Sequence, residues 1–210
     1  MIAVIDYRAG NLTSVMLALE TVGVEGAVTN AADRILAAER VIFPGVGAAG
    51  ASMANLHDLG LVDVLREVVR RGTPLLGICV GTQVAFERSE EDGGVDCLGL
   101  VPGTVRRFEP SSRFDKVPQI GWNRVAQRRP HPVFENVPDN SEFYFVHSYY
   151  PAPSDAAAIL GETGYADTTF ASVVGRGNLV ATQFHPEKSG RVGLKLLENF
   201  CRWDGREDAC

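Results

Sequence analysis

The sequence has few cysteines, and they show no arrangement that would bind a metal ion or form a disulfide framework. Its 210 residues include four cysteines, Cys79, Cys97, Cys201 and Cys210, with no Cys-x-x-Cys pair and no regular spacing. This pattern is typical of a chain whose thiols stay reduced. We therefore expect a cytoplasmic enzyme or binding protein that has no metal site.

The chain also lacks the features of a membrane protein or a nucleic-acid-binding protein. No run approaches the roughly 18 apolar residues that span a bilayer, and the first six residues lack the charged segment and long apolar core of a signal peptide. The 20 basic residues are outnumbered by 26 acidic ones, which gives a formal charge of −6. We expect neither a membrane nor nucleic acid among its partners.

What the sequence does contain is an ordinary apolar fraction and abundant glycine. Apolar residues make up 45% of the chain, and one domain of this length buries roughly 70% of its unfolded surface. The 22 glycines exceed the usual share of ~7% and indicate many turns or close backbone approaches. We expect one domain over residues 1–203 and a frayed polar tail over residues 204–210.

The first half of the chain alternates buried strands with amphipathic helices. The predicted strands are Ile2–Asp6, Arg40–Phe43 and Pro74–Cys79, and the predicted helices are Asn11–Val22, Leu61–Arg71 and Val80–Arg88. Such alternation predicts a parallel sheet with right-handed crossovers, in which the carboxyl ends of the strands share one edge.

The second half consists mainly of short strand-like segments separated by glycine and proline turns. They are Leu100–Phe108, Lys116–Val125, Glu142–Tyr150, Ala157–Gly161, Phe170–Gly175 and Leu179–Gln183, followed by one amphipathic helix that contains Val192, Leu196, Leu197 and Phe200. The predicted fold is therefore α/β, with an open, mainly parallel sheet flanked by helices and an added antiparallel region in the second half.

Cys79 is the strongest candidate for a nucleophile. It lies in Gly77-Ile78-Cys79-Val80-Gly81, between a predicted strand and a predicted helix, which is the thiol version of the nucleophile elbow. The sharp turn lifts the side chain out of the sheet, and glycines two residues to either side avoid a collision. The positive end of the following helix favours the thiolate, and the N–H of Val80 can stabilise an oxyanion.

A thiol nucleophile needs a base, and His185 is the best of the four histidines. It follows the predicted strand Leu179–Gln183, and Glu187 stands two residues later, where it can accept the imidazole N–H and fix the tautomer. We interpret His57 and His131 as solvated loop residues and His147 as a packed or hydrogen-bonded histidine.

The loop Pro44-Gly45-Val46-Gly47 follows a buried strand and can supply further backbone donors. Its glycines allow backbone N–H groups to approach a ligand closely, which suits the second half of an oxyanion hole. The spacing does not fit a dinucleotide-binding fingerprint, because no helix is predicted to begin at Gly45.

These segments, in this order, resemble the triad-type (class I) glutamine amidotransferases, whose fold is flavodoxin-like. Further segments are similar to one family among them, the glutaminase subunits of imidazole glycerol phosphate synthase. They are Ile5–Val15, Ser89–Glu91, Gly99–Gly103, Lys116–Pro118, Gly121–Asn123, Tyr144–Tyr150 and Gln183–Ser189. The sequence departs from that family at Gln119-Ile120, Thr82 and Ala49, none of which belongs to the triad.

The resemblance implies a set of roles for the residues that match. Cys79 would attack the glutamine side-chain amide, His185 would transfer protons and Glu187 would orient His185. The implied oxyanion donors are Gly47 and Val80; the implied glutamine-binding residues are Gln83, Glu91, Ser148 and Tyr149; the implied partner contacts are Asn11, Trp122 and Lys188. No cofactor is implied.

The resemblance also implies a partner. In this family ammonia passes into the (β/α)8 barrel of a cyclase subunit, within a heterodimer that serves histidine biosynthesis. A glutaminase subunit of another synthase, for anthranilate, guanylate or carbamoyl phosphate, would carry a similar elbow and triad. A non-catalytic, redox-sensing cysteine protein on a similar α/β fold is a further alternative, and the His185–Glu187 pair argues against it.

Overall fold

A computed structural model describes residues 1–206, in which strands and helices alternate as far as Gln83 and strands predominate afterwards. The strands are β1 (Ile2–Ile5), β2 (Gly26–Thr29), β3 (Arg40–Gly45), β4 (Leu75–Cys79), β5 (Phe86–Ser89), β6 (Val95–Asp96), β7 (Val101–Arg107), β8 (Gln119–Gln127), β9 (Ser141–His147), β10 (Tyr149–Pro153), β11 (Ile159–Tyr165), β12 (Thr168–Arg176) and β13 (Leu179–Thr182). The α-helices are α1 (Leu12–Thr21), α2 (Ala32–Leu36), α3 (Ala49–Asp58), α4 (Leu61–Arg70), α5 (Val80–Gln83) and α6 (Gly190–Arg202).

The predicted α/β fold with an antiparallel region is confirmed. A nine-stranded sheet has the order β2-β1-β3-β4-β13-β12-β11-β8-β9. Strands β2, β1, β3, β4 and β13 run parallel to one another, whereas β12, β11, β8 and β9 join through antiparallel pairs. The order of the parallel half is that of flavodoxin-like sheets. A smaller sheet has the order β10-β7-β5-β6.

The helix predicted over Val80–Arg88 is wrong in its second half. Helix α5 ends at Gln83, and the chain then forms β5, in which Phe86 is fully buried and pairs with Val101 of β7. A short apolar run such as Val84–Phe86 fits a helix and a strand equally well. Pairing with a distant strand decides between them.

Strand β2 and helices α2 and α3 were not expected from the sequence. Helix α3 buries Ala49, Ser52, Met53 and Leu56, which are spaced as one face of a helix. Two of these four side chains are small, so the periodic hydrophobic signal is weak.

The end of the described chain packs against the body of the protein. Helix α6 fully buries Leu196, Leu197 and Phe200, as its periodicity predicts. Beyond it, the indole N–H of Trp203 donates to the Arg206 carbonyl at 2.7 Å. Residues 204–206 of the predicted tail thus belong to the described range, and residues 207–210 lie outside it. No helix within residues 1–206 is long and apolar enough to cross a membrane.

Close packing beneath α5 requires glycine at two positions. A Cβ atom on Gly81 would lie 2.0 Å from the carbonyl oxygen of Phe43 in β3, and one on Gly45 would lie 2.5 Å from the Tyr7 hydroxyl. Strands β3, β4 and β13 are neighbours, so the loops at their carboxyl ends meet. Gly47 follows β3, Cys79 is the last residue of β4, and His185 follows β13.

Replacement of Gly81 by alanine tests this packing. The new Cβ meets backbone that cannot rotate away, so we expect the free energy of unfolding to fall by about 1–3 kcal/mol or more. Gly164→Ala is the matched control, because Gly164 lies in a strand, has an ordinary φ and has open space around its Cβ position; its expected change is within about 0.5 kcal/mol. Urea denaturation measures both, and equal stability of the two variants would contradict the packing argument.

Candidate active site

Cys79 occupies a strained position at the turn from β4 to α5. Its φ of 54° and ψ of −108° lie outside the regions that L-residues favour, at a cost of about 1–3 kcal/mol. Cys79 is the last residue of β4, where it pairs with Gly45 of β3, and Val80 is the first residue of α5. The predicted elbow is therefore present.

A chain of hydrogen bonds joins the sulfur to the opposite wall. The Gln183 side-chain amide donates to Cys79 Sγ at 3.8 Å, and its Oε1 accepts from Gln83 Nε2 at 3.0 Å. Gln83 Nε2 also donates to the Tyr149 carbonyl at 3.0 Å. Both amide protons of Gln83 are thus engaged within the protein, and its Oε1 remains for a ligand.

His185 and Glu187 form a buried pair. His185 Nδ1 lies 2.8 Å from Glu187 Oε1, and each side chain is 1% exposed. Burial lowers the pKa of His185, but hydrogen-bonding and charge interactions with Cys79 and Glu187 outweigh it and raise the pKa from 6.5 to about 10. Within residues 1–206, Nε2 makes no hydrogen bond of ordinary geometry, so this atom is left to exchange a proton with the thiol.

Backbone contacts hold His185 in place. The His185 N–H donates to the Tyr144 carbonyl at 2.9 Å, and the His185 carbonyl accepts from the Ser189 hydroxyl at 2.6 Å. The same hydroxyl accepts from the Tyr144 N–H at 2.9 Å. The 3-10 turn that contains Glu187 is thereby fixed to strand β9 at both of its ends, through His185 and Ser189.

The loop between β3 and α3 presents a free backbone donor. Gly47 has a φ of 95°, which favours glycine. The N–H groups of Val46 and Gly47 make no hydrogen bond to other residues of the range 1–206. At the start of α3, the Ala49 N–H donates to Glu91 Oε2 at 2.6 Å. Burial raises the pKa of Glu91, an effect that the Ala49 hydrogen bond opposes and the nearby Asp92 reinforces.

One cavity of about 270 Å³ collects these groups. Eight of the residues predicted for the site line it: Gly47, Cys79, Val80, Gln83, Glu91, Ser148, Tyr149 and His185. Glu187 lies behind His185, to which it is bonded. Three larger grooves, of about 680, 710 and 410 Å³, contain none of the predicted residues.

The predicted partner contacts lie outside the cavity. Trp122 is 55% exposed, with its ring centroid 6.2 Å from that of Tyr144. Lys188 is exposed on the turn after His185 and has no ion-pair partner within residues 1–206. Asn11 immediately precedes α1, and its side-chain Nδ2 is buried with no hydrogen-bond partner in the described range.

Comparison with known proteins identifies the family. The model of class I glutamine amidotransferases matches residues 3–203. Imidazole glycerol phosphate synthase subunit HisH of Dehalococcoides mccartyi (strain CBDB1) is 49% identical over 200 residues, which is 95% of this chain and 96% of that protein. The subunit of the same name from Chloroflexus aurantiacus is 50% identical over 206 residues, 97% of this chain and 96% of that protein. The chain belongs to the HisH family of class I glutamine amidotransferases.

A solved structure agrees with the fold of this HisH-family chain. The crystal structure of a glutamine amidotransferase superposes with a TM-score of 0.74, covers 96% of this chain and 98% of its own, and is 18% identical. At that identity the likeness concerns the fold alone.

Two residues that line or support the cavity of this HisH-family chain were not expected from the sequence. Gln183 is fully buried beside Cys79, and Gln119 is buried beside His147. Gln183 directly follows the buried strand β13, two residues before His185. A polar residue at such a position is the signal that would have found it. Gln119 gives no comparable signal, because its contact with His147 depends on the pairing of β8 with β9.

His147 is packed and hydrogen-bonded, as predicted. Burial lowers its pKa to about 4, so the ring is neutral at pH 7. Nδ1 lies 2.8 Å from the Tyr149 carbonyl and carries the proton. Nε2 is then an acceptor, and the Gln119 amide, 3.0 Å away, must present its NH2 end to it. His147 and Gln83 therefore both donate to the Tyr149 carbonyl.

The interpretation of His131 as a solvated residue is wrong, whereas His57 is exposed as expected. His131 is 6% exposed and packs against Trp203 with ring centroids 4.9 Å apart. Burial, aided by the charge of Arg129, lowers its pKa to about 4. Across residues 1–206, no group of three or more His, Cys, Asp or Glu side chains is placed to hold a metal ion.

The pair of His185 and Glu187 predicts a pH dependence of stability. Because the folded pKa of His185 is raised from 6.5 to about 10, its contribution to the free energy of unfolding is complete below pH 6.5. That contribution is lost as the pH rises towards 10, at up to about 1.4 kcal/mol per pH unit. In Glu187→Gln we expect a lower His185 pKa, measured by NMR titration. We also expect the free energy of unfolding, measured by urea denaturation, to fall less steeply as the pH rises.

Glu142→Gln is the control for this measurement. Glu142 pairs with Arg124 at 3.6 Å on the surface, where both side chains are more than half exposed, so little effect is expected. An unchanged His185 pKa in Glu187→Gln would contradict the assignment of Glu187 as its partner.

Proposed function

We propose that this chain is the glutaminase subunit of imidazole glycerol phosphate synthase and hydrolyses glutamine to glutamate and ammonia through Cys79, His185 and Glu187. The observation that carries the proposal is the cavity in which a strained thiol and a histidine with a carboxylate partner meet a free backbone donor. HisH-family membership and the names of the relatives support this activity and its place in histidine biosynthesis.

The first half of the reaction forms a thioester. The thiol proton of Cys79 lies on His185 Nε2, because the raised pKa keeps this ring protonated at pH 7. Cys79 Sγ then attacks the side-chain amide carbon of glutamine. The carbonyl oxygen becomes an oxyanion that accepts hydrogen bonds from the N–H groups of Gly47 and Val80. His185 then donates the proton to the amide nitrogen, the C–N bond breaks, and ammonia leaves.

The second half releases glutamate. A water molecule gives a proton to His185 Nε2 and attacks the thioester carbonyl. The tetrahedral intermediate then collapses with loss of the thiolate, and the proton stays on His185 as at the start of the reaction. Through both halves Glu187 holds His185 Nδ1–H at 2.8 Å. It stabilises the imidazolium and keeps Nε2 directed to the reacting atoms.

The remaining polar groups of the cavity suit the head group of glutamine. Glu91 supplies a carboxylate for the α-ammonium group, and the free Oε1 of Gln83 is a further acceptor. Backbone at Ser148 and Tyr149 meets the α-carboxylate. The Tyr149 carbonyl, which holds two hydrogen bonds from within the protein, keeps this part of the wall in one conformation.

The ammonia passes to a cyclase subunit, which we propose is a (β/α)8 barrel bound in a heterodimer. The proposed contact contains three groups. They are the exposed aromatic ring of Trp122, the side-chain amide of Asn11, whose buried Nδ2 is unpaired, and the exposed cation of Lys188. Such groups gain partners when a second protein covers them. The single unit over residues 1–203 and the cytoplasmic location remain predictions.

Substitution of Cys79 tests the mechanism. In the complex with the cyclase subunit and its ribotide ligand, we expect Cys79→Ala to lower the rate of glutamate formation at least ~10⁴-fold, since no other group can form the thioester. Cys97→Ala is the control: Cys97 is buried, burial raises its pKa to about 11, and it does not line the cavity.

Full activity of Cys79→Ala would overturn the mechanism. A glutaminase forms a stoichiometric adduct between Cys79 and a glutamine-mimicking electrophile, and added glutamine prevents its formation. A redox-sensing protein would form no such adduct.

Substitution of Trp122 tests the partner. If the exposed indole anchors the interface, Trp122→Ala weakens cyclase binding by about 30-fold or more, which corresponds to 2 kcal/mol or more. Leu17→Ala is the matched control, because Leu17 is 57% exposed and lies beside β2, at the opposite edge of the nine-stranded sheet. Calorimetry measures both affinities. Binding to the partner of another synthase instead of the cyclase would favour that alternative.

A further inference from the structure

Glu91 occupies a position between the cavity and the loop that carries Gly47. It begins the 3-10 turn after β5 and lines the cavity. One carboxylate oxygen, Oε2, accepts the Ala49 N–H at 2.6 Å, across 42 residues of sequence. The other oxygen, Oε1, makes no hydrogen bond to residues 1–206 and is not among their buried unpaired atoms. The two oxygens therefore have separate surroundings.

The contact with Ala49 replaces a missing helix cap. Helix α3 begins at Ala49, its N-cap residue Ala48 has no side chain that accepts a hydrogen bond, and its first turn has no acidic residue. A carboxylate at this end satisfies an N–H group that the helix leaves unpaired and interacts favourably with the helix dipole. Asp92 adds a second carboxylate beside Gly50, whose Cβ position lies 2.8 Å from Asp92 Oδ2.

The loop itself has little else to fix it. It joins the end of β3 at Gly45 to the start of α3, and its residues Val46 and Gly47 are exposed. Neither backbone N–H of these two residues is hydrogen-bonded within the described range. The loop is thus anchored by the sheet at Gly45 and by α3, where Glu91 holds the first N–H. A shift of Glu91 moves the end of the loop next to Gly47.

We propose that Glu91 is a positioning residue for the oxyanion loop as well as the ligand of the substrate's α-ammonium group. Oε2 holds the first turn of α3 and thereby positions the Gly47 N–H, whereas Oε1 binds the ammonium group. One carboxylate therefore both recognises an α-amino acid and places the oxyanion donor. This inference rests on the proposed glutaminase function and extends it.

Two substitutions at Glu91 separate the two roles in the complex with the cyclase subunit and its ligand. Glu91→Gln keeps an oxygen that can accept the Ala49 N–H but loses the charge, so KM for glutamine rises about 10- to 100-fold while kcat stays within about threefold. Glu91→Ala loses both, and kcat falls in addition by about 10²-fold, the scale of one misplaced oxyanion donor.

Controls distinguish this effect from a loss of folding or of thiol reactivity. Asp63→Asn changes an exposed carboxylate that pairs with Arg66 at 3.3 Å and does not line the cavity, and it leaves both constants within about twofold. Iodoacetamide alkylates Cys79 at the same rate in all variants, because that displacement forms no oxyanion. If Glu91→Ala does not fold, as judged by thermal unfolding, Glu91→Leu takes its place with similar volume and no acceptor.

The outcomes are distinct. A lower kcat in Glu91→Ala that Glu91→Gln restores supports the proposal. Equal kcat in the two variants, whether unchanged or lowered, overturns it, since the hydrogen-bond acceptor then makes no difference. A wild-type complex that releases no glutamate would instead overturn the proposed function, and this inference with it.

Discussion

The strained turn at Cys79 is the constraint on which the rest of the site depends. Strand β4 passes directly into α5, and its last residue, Cys79, has a φ of 54°. Its side chain lines the cavity at the edge where the neighbouring strands end. The turn forms only because Gly81 lets α5 contact the Phe43 carbonyl. The same contact brings the end of β3, and with it the Gly47 loop, beside the sulfur. One close backbone approach thus places both the Cys79 turn and the Gly47 loop.

Two histidines on one wall show how surroundings decide protonation. His147 is packed among aromatic rings, and burial keeps it neutral. His185 is equally buried by surface area, but Cys79 and Glu187 flank it and raise its pKa. A neutral ring can donate from one nitrogen and accept at the other, which suits a structural link between β8 and β10. A ring that readily takes a proton suits acid–base chemistry.

The paired strands β8 and β9 connect the cavity to the surface. Gln119 is opposite His147 on the buried side, and three residues along the pair Trp122 is opposite Tyr144 near the surface. The backbone of Tyr144 also bonds to His185 and Ser189. The strand that supports His185 therefore carries part of the surface proposed for the partner. A contact at Trp122 acts on a rigid pair of strands rather than on a free loop.

The sequence alone predicted the sharp turn at Cys79, the pairing of His185 with Glu187 and the flanking glycines, because each depends on a turn of a few residues whose geometry local chemistry dictates. The alternation of strands and helices also predicted β1, β3 and β4 of the parallel half of the sheet, but not β2. Tertiary structure decided where α5 gives way to β5, since only pairing with β7 makes Phe86 part of a strand. It likewise decided the contacts of Gln83 with Gln183, Gln119 with His147 and Glu91 with Ala49, which lie 100, 28 and 42 residues apart. These contacts follow from which strands become neighbours, a property of the whole packed chain that no short segment encodes.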